Sequence, residues 1–440
     1  MTIPKRIMFA CGQLGVMVLV RFFLQWLLDY SAQEPSGLSG AENGAGAAAS
    51  GATVVLFNLA TVGTLLLAAR LFDGITDPIA GVLSDRWVRS GRERRTLLWF
   101  ALLLPPVGLA LSFYAGHDLA AASRWMLLTS GMVVFFLGYT FYAIPYWSLI
   151  DDYSGDDVGE RRILSNLLGL GLLLATAVVA VVSPFVIEAL GYRHAALVFA
   201  ACALLLMALP HFAQPKRAQA PAERPLRAKQ TGIYRDVVSA FRHRRFVAVL
   251  VLYAGSQMSF TVMTGAVPFI VQRLLCEGRE HVSSIMAPFL GTAIPFFVFA
   301  PAISRRLGWE KACAVASILL GIVYGGTAAL GEGVLGMTPL VTAMALFACG
   351  GPMAAVLLGL EGEAITDCAR EREGEEVTSL YFGVFNFVVK AMNGLAIFLT
   401  SLFVSWEAYR GTGLLAGGLL FVGVMGYYAI RGVPRGSGPS

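Results

Sequence analysis

The chain has 440 residues, 57% of them hydrophobic and 14% charged, with a formal net charge of +5 and a mean hydropathy of +0.69. A soluble domain carries about 45–50% apolar and about 25% charged residues, so disorder, a collagen, a disulfide scaffold and an ordinary cytosolic enzyme are excluded. The composition implies an all-α membrane protein crossing the lipid bilayer many times, and the modest positive charge gives no reason to expect a nucleic-acid partner.

Twelve apolar stretches follow one another along the chain, each near the roughly 20 residues that a bilayer crossing needs. They run over about 7–28, 53–79, 96–115, 125–147, 163–187, 194–212, 246–274, 283–303, 312–331, 338–362, 379–404 and 411–430. The first retains polar residues and no small-residue cleavage site follows it, so it reads as a kept helix. The segment from Ala32 to Ser50, rich in Gly, Ala and Ser, reads as a flexible loop. Between the sixth and seventh stretches, Pro215, Pro221 and Pro225 accompany nine basic residues. The expected organisation is an N-terminal six-helix bundle (1–212), a basic cytoplasmic linker (213–245) and a C-terminal six-helix bundle (246–440), related as pseudo-repeats. Cys11, Cys202, Cys276, Cys313, Cys349 and Cys368 have no metal-ligand spacing and are expected to be small buried apolar residues.

The basic residues set the orientation. With the N-terminus inside, the even-numbered connections and both termini hold most of the 33 Lys and Arg. Arg124, Arg193, Arg273, Arg279 and Arg410 fall on the opposite side, and Arg21, Arg70 and Lys390 within spans. Both termini are therefore expected in the cytoplasm, at the plasma (inner) membrane.

An ionisable residue at the bilayer centre costs on the order of 3 kcal/mol, so each one kept there needs a reason. In the second stretch, ARLFDGITDP places Arg70, Asp73 and Asp77 on one helical face. Asp73 and Asp77 are i,i+4 neighbours, and two carboxylates that close cannot both stay ionised in a low dielectric without a cation. Hard cations prefer oxygen ligands, and Thr76 adds a hydroxyl beside the pair. Pro78 cannot donate to the Gly74 carbonyl, which frees a further oxygen. Two readings stand: a sodium or proton site, or a structural cluster in which Arg70 and Lys390 neutralise the aspartates.

In the first stretch, Arg21 and Gln25 share a face with Gln13 and Met17. Arg21 fits either an anionic or hydroxyl-rich solute, through its rigid donor fork, or an acidic partner such as Glu361 or Glu363. In the eleventh, Asn386 and Lys390 are i,i+4; the lysine suits a solute contact or the counter-charge of the aspartates. In the fourth, YTFYAIPYWSL offers Thr140, Tyr142, Tyr146 and Trp147, whose hydroxyl-edged rings suit a sugar or plain helix packing. After the second stretch, GVLSDRWVRSGRERR sets Asp85 before Arg89 and further basic residues, a pattern for locking two helix ends or for positive-inside charge alone. The five histidines have no ligand spacing, and His117–Asp118 is the one adjacent pair that an enzyme reading would have to use.

These motifs resemble the major facilitator superfamily, and within it the glycoside–pentoside–hexuronide:cation symporter (melibiose permease-like) family. The resemblance lies in ARLFDGITDPIAGVLSDRWVRSGRERR, YTFYAIPYWSLI and SLYFGVFNFVVKAMNG and extends over nearly the whole chain. It implies the twelve-helix major facilitator fold. It implies cation-binding roles for Asp73, Thr76, Asp77 and Thr140, a solute-side tryptophan at Trp147, and a lysine between the two sites at Lys390. Thr76 replaces an asparagine of the family's galactoside carrier, which leaves Na+ and H+ both open. The two aspartates that hold galactoside hydroxyls fall at Met17 and Ala143, so a melibiose-type substrate is not expected.

The resulting expectation is a non-enzymatic, secondary active carrier without resident cofactors, using Na+ or H+ as coupling ion and working by alternating access as a monomer. Its solute is small and polar, sugar-like or sugar-acid-like, with Arg21, Gln25, Tyr142, Trp147, Asn386 and Lys390 along its path. Arg70, Asp85, Arg89 and Lys390 form the expected charge network. A facilitator or proton-linked exporter, or a carrier of amino acids or lysolipids, would use the same fold; a membrane-embedded enzyme would need a catalytic constellation that the sequence does not offer.

Overall fold

The structure is a computed structural model and describes residues 1–33, 56–155, 157–213, 239–331, 337–371 and 378–431. Most of the expected flexible loop and of the basic linker lies outside these residues. The chain divides into two compact units, Met1–Ala222 and Glu223–Ser440.

The first unit contains α1 (Ile3–Ser31), α2 (Leu59–Arg89), α3 (Arg94–Ala101), α4 (Leu104–Tyr114), α5 (Ala121–Ser154) and α6 (Val158–Ala208). The second contains α7 (Arg244–Phe269), α8 (His281–Leu307), α9 (Trp309–Gly326), α10 (Pro339–Arg370), α11 (Thr378–Ser405) and α12 (Tyr409–Arg431). Among the described residues there is no strand, and 11 helical runs are long and apolar enough to cross a membrane. In lipid, an α-helix satisfies its backbone groups within itself, which is why hydropathy alone locates these elements.

The count differs from the expected twelve for a local reason. The fifth and sixth stretches lie in one run, α6, whose backbone leaves helical geometry only at Gly191 (φ 73°, ψ 167°). Glycine reaches that left-handed region without a Cβ clash, so the turn between two crossings shrinks to one residue. α2 also runs well past the expected end at 79, continuing through Pro78 to Arg89. The third crossing is broken at Leu102–Leu103, ahead of Pro105 and Pro106 at the start of α4.

Both units pack their spans in the same pattern. In the first, α1 lies on α6, α2 on α5, and α4 on both α5 and α6. In the second, α7 lies on α12, α8 on α10, and α9 on both α10 and α12. Close approach rather than hydrophobic area holds membrane helices together. A Cβ on Gly108 would sit 2.3 Å from the Phe135 nitrogen, and one on Gly131 2.7 Å from that of Ser112, so α4 and α5 meet backbone to backbone. Aromatic rings fill the space beside them: Phe23 stacks on Phe135 at 4.4 Å and meets Phe113 and Phe136 edge-on.

The cysteine expectation is corrected. Cys313 and Cys368 are buried, Cys11 is intermediate, and Cys202, Cys276 and Cys349 are exposed. Cys202 and Cys349 face outward from membrane helices, where positions are themselves apolar and a small thiol is tolerated as readily as in a core. Cys276 lies in the connection after Leu274.

Candidate functional site

α2 turns a stripe at three- and four-residue spacing into its unit: Val62, Leu66, Arg70, Asp73, Ala80 and Ser84 are buried, with Asp77 intermediate. Leu71, Phe72, Ile75, Ile79, Val82 and Leu83 on the other faces are exposed. The charged residues thus point inward and the apolar ones outward, as expected of a span that carries function. The helix is capped by Asn58, whose side chain accepts from the Thr61 N–H at 3.0 Å.

The stripe meets Thr140 of α5. The Thr140 hydroxyl lies 2.5 Å from Asp73 Oδ1 and 3.4 Å from Asp77 Oδ1, and the Thr76 hydroxyl is 3.5 Å from it. Thr76 donates to the Asp73 carbonyl at 3.0 Å. Arg70 Nη1 pairs with Asp73 Oδ2 at 3.2 Å, and the guanidinium sits 5.1 Å from the Phe136 ring centre. Arg70 Nε is buried without a hydrogen-bond partner among the described residues. Asp73 is fully buried, so its charge depends on these neighbours. Carboxylate and hydroxyl oxygens from two helices converge here, the donor set that a hard cation or a proton requires. Asp73, Thr76, Asp77 and Thr140, singled out from sequence, therefore come together.

Of the residues assigned to the solute path, Arg21 is half-buried on α1 and makes no hydrogen bond or ion pair among the described residues; it lies within electrostatic range of Arg70. The acids offered as its partners are engaged elsewhere: Glu361 accepts from Gln257 at 2.7 Å and Glu363 from Ser304 at 2.7 Å. Gln25 is buried. Trp147 donates its indole N–H to Gln13 Oε1 at 2.8 Å. The Tyr142 hydroxyl is spent on the Met207 carbonyl at 2.7 Å within a fully buried setting, so here it ties α5 to α6 and does not line an open path. Tyr146 binds the Phe9 carbonyl and accepts from the Gln13 N–H at 3.1 Å, another packing role. On α11, Asn386 is exposed and Lys390 half-buried.

The side chains of Asp85 and Arg89 lie outside the described residues. A lock between helix ends is nonetheless built by Arg94, whose guanidinium donates to Ser84 on α2 at 2.5 Å and to Asp152 on α5 at 3.0 Å. At the opposite end, His117 Nε2 is 3.1 Å from the Gln33 carbonyl, and Asp118 is paired with Arg193. The hydrogen bond from Arg193 holds the Asp118 carboxyl below the usual range, so the pair serves structure and offers no base.

Sequence reasoning missed a polar cluster in the second unit. Gln257 of α7 donates to Glu361 of α10, Thr261 of α7 donates to Asn393 of α11 at 2.9 Å, and Ser304 of α8 donates to Glu363. The available signal was an acid inside the tenth apolar run and a glutamine inside the seventh; which faces meet is not written in either helix alone.

Residues 52–415 match the family described as MFS/sugar transport protein. The chain is 28% identical over 165 residues to YagG of Escherichia coli (strain K12), described as a glycoside/cation symporter, and 25% identical over 241 residues to the inner membrane symporter YicJ of the same organism. These matches cover 36% and 53% of this chain and 35% and 50% of the relatives, so the chain spans half or less of the length of the curated relatives it matches. Among solved structures, a POT family peptide transporter superposes with a TM-score of 0.66 at 11% identity, covering 99% of each chain. The nucleoside transporter NupG superposes with a TM-score of 0.64 at 13% identity, covering 98% of this chain and 99% of that one. At such identities the shared property is the fold.

Proposed function

The chain belongs to the MFS/sugar transport protein family, a multi-pass membrane transporter and not an enzyme, and from that premise we propose that it is a cation-coupled symporter of a small polar solute, working by alternating access. The observation that carries this reading is the Thr140 hydroxyl set between Asp73 and Asp77. Arg70 offsets one carboxylate. Two carboxylates so close in a low dielectric, with hydroxyl oxygens beside them, suit a bound Na+ or a proton, and that ion is cargo. Binding it strengthens solute binding, a reciprocal coupling typically worth about 1–3 kcal/mol.

The solute is sugar-like or sugar-acid-like. The names of YagG and YicJ support symport, and Arg21, a half-buried guanidinium with no carboxylate partner among the described residues, favours an anionic solute such as a uronate. Trp147 and Gln25 complete the recognition surface on the same unit as Arg21; in the second unit, Asn386 and Lys390 of α11 are the residues proposed to touch the solute. The distribution of basic residues supports a cytoplasmic position for both termini.

The test begins with a thermal-shift screen of purified protein against sugars, uronates, amino acids and lysolipids, each with and without sodium. The stabilising solute is then followed in proteoliposomes. Wild type should accumulate it only under an inward cation gradient, and Asp77→Asn should lose that accumulation while inserting normally. Equilibration without regard to the gradient, or unchanged accumulation in Asp77→Asn, overturns the reading.

A further inference from the structure

Glu361 is a carboxyl group that the coupling site does not use. It sits on α10, nine residues from the end at Arg370, about 14 Å inside the helix at 1.5 Å per residue. Its bonded partner among the described residues is the neutral amide of Gln257, at 2.7 Å. This is unlike Asp73, which has Arg70.

The surroundings offer no substitute for an ion pair. From α7, Tyr253 lies within electrostatic reach, and its hydroxyl is 3.4 Å from Cys313 of α9. From α8 comes Ser304, bonded to Glu363, with Arg305 and Arg306 exposed at the helix end. From α11 come Asn393, bonded to Thr261, and Lys390. At the far end of α10, Asp367 and Glu371 are both held by Arg245. None of these cations forms an ion pair with Glu361 among the described residues.

We propose that Glu361 is a proton-binding site of the second unit, separate from the cation site at Asp73 and Asp77. A carboxylate balanced only by one amide in a membrane span is strongly penalised, whereas the neutral acid keeps the same hydrogen bond. The amide suits this use: it donates to the carboxylate through its nitrogen, and turned over it accepts the acid's O–H through its oxygen. Glu361 is partly exposed, not sealed within its unit. The step is plain ionisation, the carboxylate taking one proton from water and returning it.

The experiment is infrared difference spectroscopy on the purified full-length protein, titrated from about pH 5 to about pH 9, well above the usual range near 4.3 for glutamate. The only probe is the proton. Wild type should show a carboxylic-acid C=O band disappearing within that window, Glu361→Gln should lack it, and Asp77→Asn should keep it. Gln257→Ala should move its loss to higher pH, because the charged form loses a stronger hydrogen bond than the neutral acid does. Superposable wild-type and Glu361→Gln spectra overturn the proposal, as does a band lost in Asp77→Asn. If Glu361→Gln fails to fold, a Gln257→Ala titration identical to wild type overturns it. No solute or sodium is needed, so this result stands apart from the test of symport.

Discussion

In each unit a glutamine on the first span reaches a side chain on the fourth, and the two contacts differ in one chemical respect. Gln13 of α1 meets the Trp147 indole of α5; Gln257 of α7 meets the Glu361 carboxyl of α10. The helix pairing is common to both units, so the backbone does not decide what the contact can do. An indole N–H satisfies the glutamine oxygen at every pH, whereas a carboxyl in the corresponding place must choose between charge and proton. Equivalent scaffolds thus carry different chemistry: the first unit sets its acids beside Arg70, and the second sets one acid beside a neutral amide.

The sharpest way to break this contrast is to remove the charge that Arg70 answers. Asp73→Asn leaves a buried guanidinium without its carboxylate, and removing one member of a buried pair costs about 3–5 kcal/mol. Thermal unfolding of the purified variant should show that loss together with loss of any sodium response. Adding Arg70→Gln should recover much of the stability and none of the sodium response. Full recovery of both would mean that the acid serves packing alone.

A smaller effect compares how the units tie their helix ends. The first uses separate pairs, Arg6 with Glu160 and Arg94 with Asp152. The second gathers its acids on one residue: Arg245 holds Glu310, Asp367 and Glu371, and Arg431 shares Glu310. Arg245→Gln leaves acids from α9 and α10 facing one another and should cost about 1–3 kcal/mol, as hydrogen bonds to charged groups do. Arg94→Gln, which removes the bond to Asp152 at a part-exposed site, should cost less in the same melting experiment.

How much of this was legible follows from the range of each interaction. Hydropathy located the spans because a helix in lipid closes its own hydrogen bonds, so eleven runs emerge without knowledge of their neighbours. Spacing within α2 placed Arg70, Asp73 and Asp77 on one face, again a property of one helix. Thr140 came from resemblance to a family, because which helix faces α2 is a tertiary fact. The same limit hid the Gln257–Glu361 bond and the role of Arg94, and left Tyr142 assigned to the solute path while its hydroxyl was closing the α5–α6 contact. Gly191 escaped notice because a one-residue break reads in sequence as an ordinary inter-helix gap.

The smallest expected effect concerns an end pair that ties α1 to α6 through a carboxylate outside the spans. Glu160 accepts from Arg6 Nε at 3.0 Å and Nη2 at 2.5 Å, and the Arg6 hydrogen bond holds its carboxyl below the usual range. A group whose folded value is depressed stabilises the protein above its unfolded value, near 4.3, and loses that contribution as pH falls through the folded value. Wild type should therefore melt above Glu160→Gln at neutral pH, by no more than about 1 kcal/mol because the pair is partly open to water. The gap should begin to narrow below about pH 4 and close as pH falls through the folded value, where both proteins carry a neutral group at this position. Glu361→Gln should behave differently in the same series. With a proton on Glu361 in mild acid, as proposed, the two curves should coincide there and separate only as the solution becomes alkaline. A Glu160→Gln gap that stays constant down to acid pH would show that the Arg6 contact stabilises through packing and not through charge.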